Sequence, residues 1–258
     1  MPETVRDTWT MTKRSLRHIV RSMDTIITVV LMPIAFMLLF VFVFGGAIGL
    51  QTGSVSYVDY ITPGIVIMAV VSGISYAAVR LSMDLQGGII NRFRTMPVAP
   101  VSILGGQALS STLSNLLSSV LVILTAFVIG FRPHAGIEQW VIVAGLLLLF
   151  TFATTWLAIF FGLLANTTEG AGAFSYILLL LIFISPAFVP AKSITPALRG
   201  FAQNQPMTPI VETMRSLLTS GVAGSQAGAA ILWSVGILVV SFSLALTVYR
   251  RKTVVVLT

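Results

Sequence analysis

The chain has 258 residues, of which 56% are hydrophobic and 9% charged, and its mean hydropathy is +0.98. A typical soluble domain carries about 25% charge, so this composition describes an integral membrane protein with no room for a separate soluble domain. There is no cysteine, which excludes disulfides, thiolate metal sites and cysteine nucleophiles. The net charge of +7 does not suggest nucleic acid, because the cations sit at the ends of apolar runs, where membrane topology accounts for them.

Residues 5–27 read as one amphipathic helix. Val5, Trp9, Leu16, Val20, Met23 and Ile27 fall on one stripe, flanked by Arg6, Lys13, Arg17 and Arg21. Such a helix lies along a membrane surface with its cations among anionic head groups. Its basic start also resembles a signal peptide, but the apolar run after it is longer than a signal core and further spans follow. We therefore keep it in the mature protein.

At about 20 apolar residues per crossing, six spans are expected, over residues 26–48, 61–80, 101–131, 140–164, 172–189 and 227–249. The third is longer than a straight crossing needs and should tilt or project. Pro33 should kink the first span, and Pro186 with Pro190 should break the fifth. Six crossings put both termini on one side. Placing that side in the cytoplasm leaves eleven Lys and Arg inside against four outside (Arg132, Lys192, Arg199 and Arg215), the asymmetry that sets orientation.

Between the second and third spans lies DLQGGIINRFRTMPVAP, residues 84–100. Asp84, Asn91, Arg92 and Arg94 cannot sit in hydrocarbon, where an ionised side chain costs about 2.5–3.5 kcal/mol on insertion scales. Ile89, Ile90, Phe93 and Met96 recur near helical spacing with the arginines off that face, and Pro97 stops the pattern. The island is either a plug for another protein's socket or an ordinary cytoplasmic loop.

The third span carries Ser110, Ser111, Ser114, Asn115, Ser118 and Ser119 as a stripe of small polar residues. It packs helices closely or lines a translocation path. Glu169 reads as a solvated residue of a short turn over 166–170. After the fifth span, Thr195-Pro196 and Thr208-Pro209 each read as a helix start. The segment 190–228 thus holds two short helices, either re-entrant or lying flat as a cap.

No ionisable residue lies well inside the six spans, with Arg80 and Tyr249 at ends. A proton- or sodium-driven transporter and an intramembrane protease both need such groups. No catalytic site and no metal site is expected; His18 and His134 fall on opposite sides. No G-x-x-x-x-G-K-[ST] run is present, so the chain has no nucleotide site of that type, and energy for active transport must come from another subunit.

The runs NRFRTMPVAPVSILGGQ (91–107), FGLLANTTEGAGAFS (161–175), SPAFVP (185–190) and FAQNQPMTPIVETMRSLLTSG (201–221) resemble type-2 ATP-binding-cassette (ABC) exporter permeases. The similarity is to the daunorubicin-resistance-like group of bacterial drug-export permeases, and it covers essentially the whole chain in order. The resemblance implies an all-α integral membrane fold in a single permease domain, 1–258. Six transmembrane helices would be joined by an amphipathic connecting helix (5–25), a cytoplasmic coupling helix (84–100) and re-entrant helices (190–228). It implies a homodimer, or a pair with a close paralogue, carrying two copies of an ABC ATPase in the bacterial cytoplasmic membrane. Both termini would be cytoplasmic. ATP and Mg would belong to the ATPase, so no cofactor is expected on this chain and the permease is not itself an enzyme. Asp84, Gly87, Gly88, Asn91, Arg92, Phe93 and Arg94 would face that partner. The activity implied is export of a hydrophobic or amphipathic substrate, a drug or antibiotic, a lipid or a lipid-linked glycan. A sensing or signalling ABC subunit and a passive channel or scaffold remain the alternatives.

Overall fold

The computed structural model describes residues 27–49, 55–87 and 100–254, and among them every regular element is helical. Among the described residues, five helices are long and apolar enough to cross a membrane. They are α1 (Val29–Ile48), α2 (Tyr57–Gln86), α3 (Pro100–Ile129), α4 (Ile137–Leu164) and α8 (Ala227–Val254). Between α4 and α8 come α5 (Thr168–Ile184), α6 (Pro196–Asn204) and α7 (Met207–Ser220). The chain is a multi-pass membrane protein.

Several boundaries differ from the expected ones. The second span does not stop at Arg80. It starts at Tyr57 and runs to Gln86, making α2 as long as α3 at 30 residues each, about 45 Å at 1.5 Å per residue. Arg80 therefore lies inside the helix, nearly two turns from its end. The fifth span is shorter and earlier than 172–189, with 17 residues. Ser185 is extended (ψ 163°), because Pro186 disfavours helix in the residue before it. Pro33 opens the helical stretch Met32–Leu38 of α1, which is flanked by wide π turns at Ile27–Leu31 and Leu39–Phe44.

Glu169 is not a loop residue. Thr167 caps α5, its hydroxyl accepting the Gly170 N–H at 3.1 Å, so Glu169 lies in the first turn, where a carboxylate complements the helix dipole. Thr195 does precede α6, as expected. Thr208 does not begin a helix: α7 starts at Met207, and the Thr208 hydroxyl donates to the Ala202 carbonyl. Gly221, at φ 70°, ends α7 in the left-handed conformation that glycine tolerates.

Packing centres on α2. Between Ile61 and Leu81 most of its side chains are buried among α3, α4, α5 and α7. Gly162 of α4 lies so close that a Cβ there would stand 2.9 Å from the Ala78 carbonyl oxygen, which is how α2 and α4 approach without a side chain between them. The outer helices expose long apolar faces instead: Phe42 and Val43 on α1, Leu117, Leu124 and Val128 on α3, Ile177 and Leu180 on α5, and Leu232 and Val240 on α8. Water would not tolerate patches of that size; lipid or another membrane subunit does.

Candidate functional site

Three places bear on function: the end of α2 that carries the polar island, the serine stripe of α3, and the opposite end of the bundle.

At the first, α2 closes with Gly87, whose N–H donates to the Met83 carbonyl at 2.8 Å. Asp84 is partly buried in the last turn. Gly88, Asn91, Arg92, Phe93 and Arg94 lie outside the described residues, as does the amphipathic stretch 5–25. What is visible is how the island is anchored. Gln86 Nε2 donates to the Asn166 carbonyl and to Ser82 Oγ, both at 3.2 Å, and Ser82 Oγ donates to the Thr167 carbonyl at 3.5 Å. The turn between α4 and α5 is thus tied to the root of the island. Sequence reading missed Gln86 and Ser82, because their partners are about 80 residues away and belong to the backbone.

The stripe on α3 faces α1 and α2. Ser111, Asn115 and Ser118 are buried, and Ser114 is partly so. Ser118 Oγ donates to the Val29 carbonyl of α1 at 2.5 Å. Asn115 fills the space that Gly73 of α2 leaves empty: a Cβ at Gly73 would fall 1.7 Å from Asn115 Oδ1. Asn115 Nδ2 and Thr112 Oγ1 have no hydrogen-bond partner among the described residues. Within one chain these residues sit in a helix interface.

The opposite end is organised by Arg215 of α7, whose side chain is 9% exposed. Its Nε donates to the Tyr60 carbonyl at 3.0 Å, Nη2 to the Pro186 and Ala187 carbonyls at 3.0 Å each, and Nη1 to Glu212 Oε1 at 2.6 Å. The guanidinium also lies 3.7 Å from the centre of the Tyr60 ring, within cation–π range. Tyr60 and Tyr57 donate from their hydroxyls to the carbonyls of Pro186 (2.8 Å) and Phe188 (3.2 Å). The proline break after α5 leaves carbonyls without helical partners, and buried carbonyls need donors. Arg215 and the two tyrosines supply them. Gln205 adds a second donor in α5's last turn, from Nε2 to the Leu181 carbonyl at 3.0 Å, which also accepts the Ser185 N–H.

Arg215 had counted only as an outer-side charge. Its register carried a warning: it falls one turn after Val211, on the stripe that includes Met214 and Leu218, and a cation on an apolar stripe is a buried cation with partners.

Comparison with known proteins adds an identity to this geometry. The family model described as ABC-2 type transporter matches residues 6–219. The chain is 28% identical over 251 residues to the daunorubicin resistance ABC transporter permease protein DrrB1 of Streptomyces coeruleorubidus, covering 94% of this chain and 88% of that protein. It is 26% identical over 252 residues to a Mycobacterium tuberculosis protein named "Probable doxorubicin resistance ABC transporter permease protein DrrC", covering 96% and 90%.

Proposed function

The chain belongs to the ABC-2 type transporter family, and from that premise we propose that it is the permease subunit of an ATP-driven exporter in a bacterial cytoplasmic membrane. Two copies, or one copy and a close paralogue, form the path across the membrane, and two ATPase subunits dock on the cytoplasmic side. The cargo is hydrophobic or amphipathic, in keeping with the drug-resistance names of the two similar permeases. The Thr168–Ile184 helix, about 26 Å long at 1.5 Å per residue, makes the sixth crossing together with the Ser185–Pro190 break, and α6 and α7 re-enter the outer leaflet.

The observation that carries this reading is the root of the polar island. Two 30-residue helices, α2 and α3, end and begin around it, and Gln86 and Ser82 bind that root to the α4–α5 turn. A displacement at residues 84–100 therefore reaches α2 and α5 together. At their far ends the same two helices are joined again through Tyr60 and Pro186. When ATP closes the ATPases, Asp84, Gly87, Gly88, Asn91, Arg92, Phe93 and Arg94 receive the motion, and the α2–α5 pair conveys it to the outer helices. ATP biases the cycle by binding the closed state more tightly. ATP and Mg remain on the partner.

Purification in mild detergent tests the reading. The tagged chain is expected to bring down a near-stoichiometric ABC ATPase, and Arg92→Glu with Arg94→Glu is expected to lose it while inserting normally. A permease dimer that comes alone in several detergents would turn the reading toward a channel or scaffold. An ATPase retained by the double variant with normal substrate-stimulated hydrolysis would remove the island from the docking surface.

A further inference from the structure

Helices α2 and α5 pack antiparallel, and two side-chain bonds fix their register. Ser75 Oγ donates to the Gly172 carbonyl at 3.4 Å, and Ser82 Oγ to the Thr167 carbonyl at 3.5 Å. In that register Arg80 of α2 stands level with Glu169 of α5. The two also share a side. Ala78 and Leu81 of α2 meet Gly162 of α4, and Phe174 of α5 stacks on Phe161 of α4 with ring centres 4.7 Å apart. At about 100° per residue, Tyr76, Arg80 and Met83 then lie on the side of α2 turned away from α4. Glu169, Tyr176 and Leu180 lie on the same side of α5. The described residues leave this face open: Met83, Tyr176 and Leu180 are 56%, 73% and 59% exposed, and Glu169 is exposed.

The charges on this face are unmatched by its neighbours. Arg80 lies nearly two turns inside α2 and is partly buried, with Nη1 shielded from solvent and without a hydrogen-bond partner. Among the described residues the one ion pair is Arg215 with Glu212, so none of them neutralises Arg80 or Glu169 by direct contact. The dipole of α5 accounts for a carboxylate in its first turn. It does not account for a cation level with that carboxylate on α2. An ionisable group in a membrane helix that the neighbouring helices leave unpaired calls for a partner.

Symmetry selects the partner. Two copies inserted with the same orientation are related by a two-fold axis along the membrane normal, which brings together residues of equal depth and makes the interface self-complementary. A face with one cation and one anion at the same level meets that condition, because each Arg80 finds the other copy's Glu169 and the pair forms twice. An anionic lipid or a basic protein would match only one of the two charges. We propose that a second copy of this chain docks on the open α2–α5 face through reciprocal Arg80–Glu169 pairs. Tyr76, Tyr176 and Leu180 pack around them. The pairs stand less than two turns from Gln86, so a displacement at the island root of one copy is passed to the other. The inference rests on the paired permeases of the exporter reading, and not on their ATPase.

The test mixes two charge-reversed copies of the full chain, carrying different tags, in one membrane. Arg80→Glu sets like charges against each other in its own dimer, and so does Glu169→Arg. Each alone is expected to dimerise at least about tenfold more weakly than the parent in mild detergent. Placed together they restore both pairs across the axis, and the mixed dimer is expected to form as the parent's does. A pair within one chain would stay broken in both copies, so a mixture that pairs no better than its components overturns the proposal. The chain has no cysteine, which allows a second measurement without charge reversal. Arg80→Cys in one copy and Glu169→Cys in the other are expected to give a mixed-tag dimer with a short bifunctional maleimide, since an arginine–glutamate pair holds its Cβ atoms beyond disulfide reach. The yield should exceed that of Arg80→Cys with Val240→Cys, on the exposed face of α8; no excess would also overturn the pair. Both measurements are made without the ATPase. A missing ATPase therefore counts against the exporter reading alone, and copies that fail to meet at Arg80 beside a co-purified ATPase count against this pair alone.

Discussion

Arg215 carries more of the far-end structure than any other side chain. Its guanidinium satisfies three backbone carbonyls and one carboxylate, and it lies on an aromatic ring. Replacing it by alanine would take a donor from each of those carbonyls and from Glu212, leaving Pro186 with the Tyr60 hydroxyl alone, and a buried group left without its partner costs about 1–3 kcal/mol. Lysine keeps the charge but has no planar fork to span Tyr60, Pro186 and Ala187. We expect Arg215→Ala to lose stability of that order and Arg215→Lys to fall between it and the parent, measured by SDS unfolding in mixed micelles. Equal losses for the two variants would mean that the fork geometry contributes nothing.

Helix pairs here approach through glycines and small polar residues, as lipid-embedded helices do when no hydrophobic gain separates helix contact from lipid contact. The α2–α3 pair shows it most directly. Asn115 occupies the hollow over Gly73, and Val29 of α1 closes it, 3.1 Å from where a Cβ would stand. Gly73→Ala is expected to cost about 1–3 kcal/mol through overpacking. Asn115→Ala empties the hollow, so the double variant should recover most of what Gly73→Ala loses. A double-mutant cycle with no such coupling would place Asn115 elsewhere, for example along a translocation path.

For the whole molecule, two tied ends define the architecture: Gln86 and Ser82 at the island end, and Tyr57, Tyr60 and Arg215 at the opposite end. The cation asymmetry is the ground on which we propose which end faces the cytoplasm, and the absence of native cysteine makes the test clean. Asn166 and Gln203 are both exposed, at opposite ends. Gln203→Cys is expected to react with a membrane-impermeant maleimide in intact cells, and Asn166→Cys only after permeabilisation. The reverse pattern would invert the molecule and take the island out of reach of any cytoplasmic ATPase.

The helical membrane class, the approximate positions of the long spans and the break at Pro186 were all legible in the sequence. Each depends on local properties: runs of apolar residues, the missing N–H of proline, and the cost of a charge in hydrocarbon. The family, too, could be recognised from motifs in order. What only the tertiary structure decided depends on pairs far apart in the chain. Arg215 and Tyr60 are 155 residues apart, Tyr60 and Pro186 126, and Ser118 and Val29 89. Nothing in a window of one helix says which carbonyl a guanidinium will find. One helix end is tied in the same way: beyond Arg80, α2 carries Ser82 and Gln86, whose partners lie in the α4–α5 turn, whereas the start of α7 is a local matter, the Thr208 hydroxyl donating to the Ala202 carbonyl six residues back.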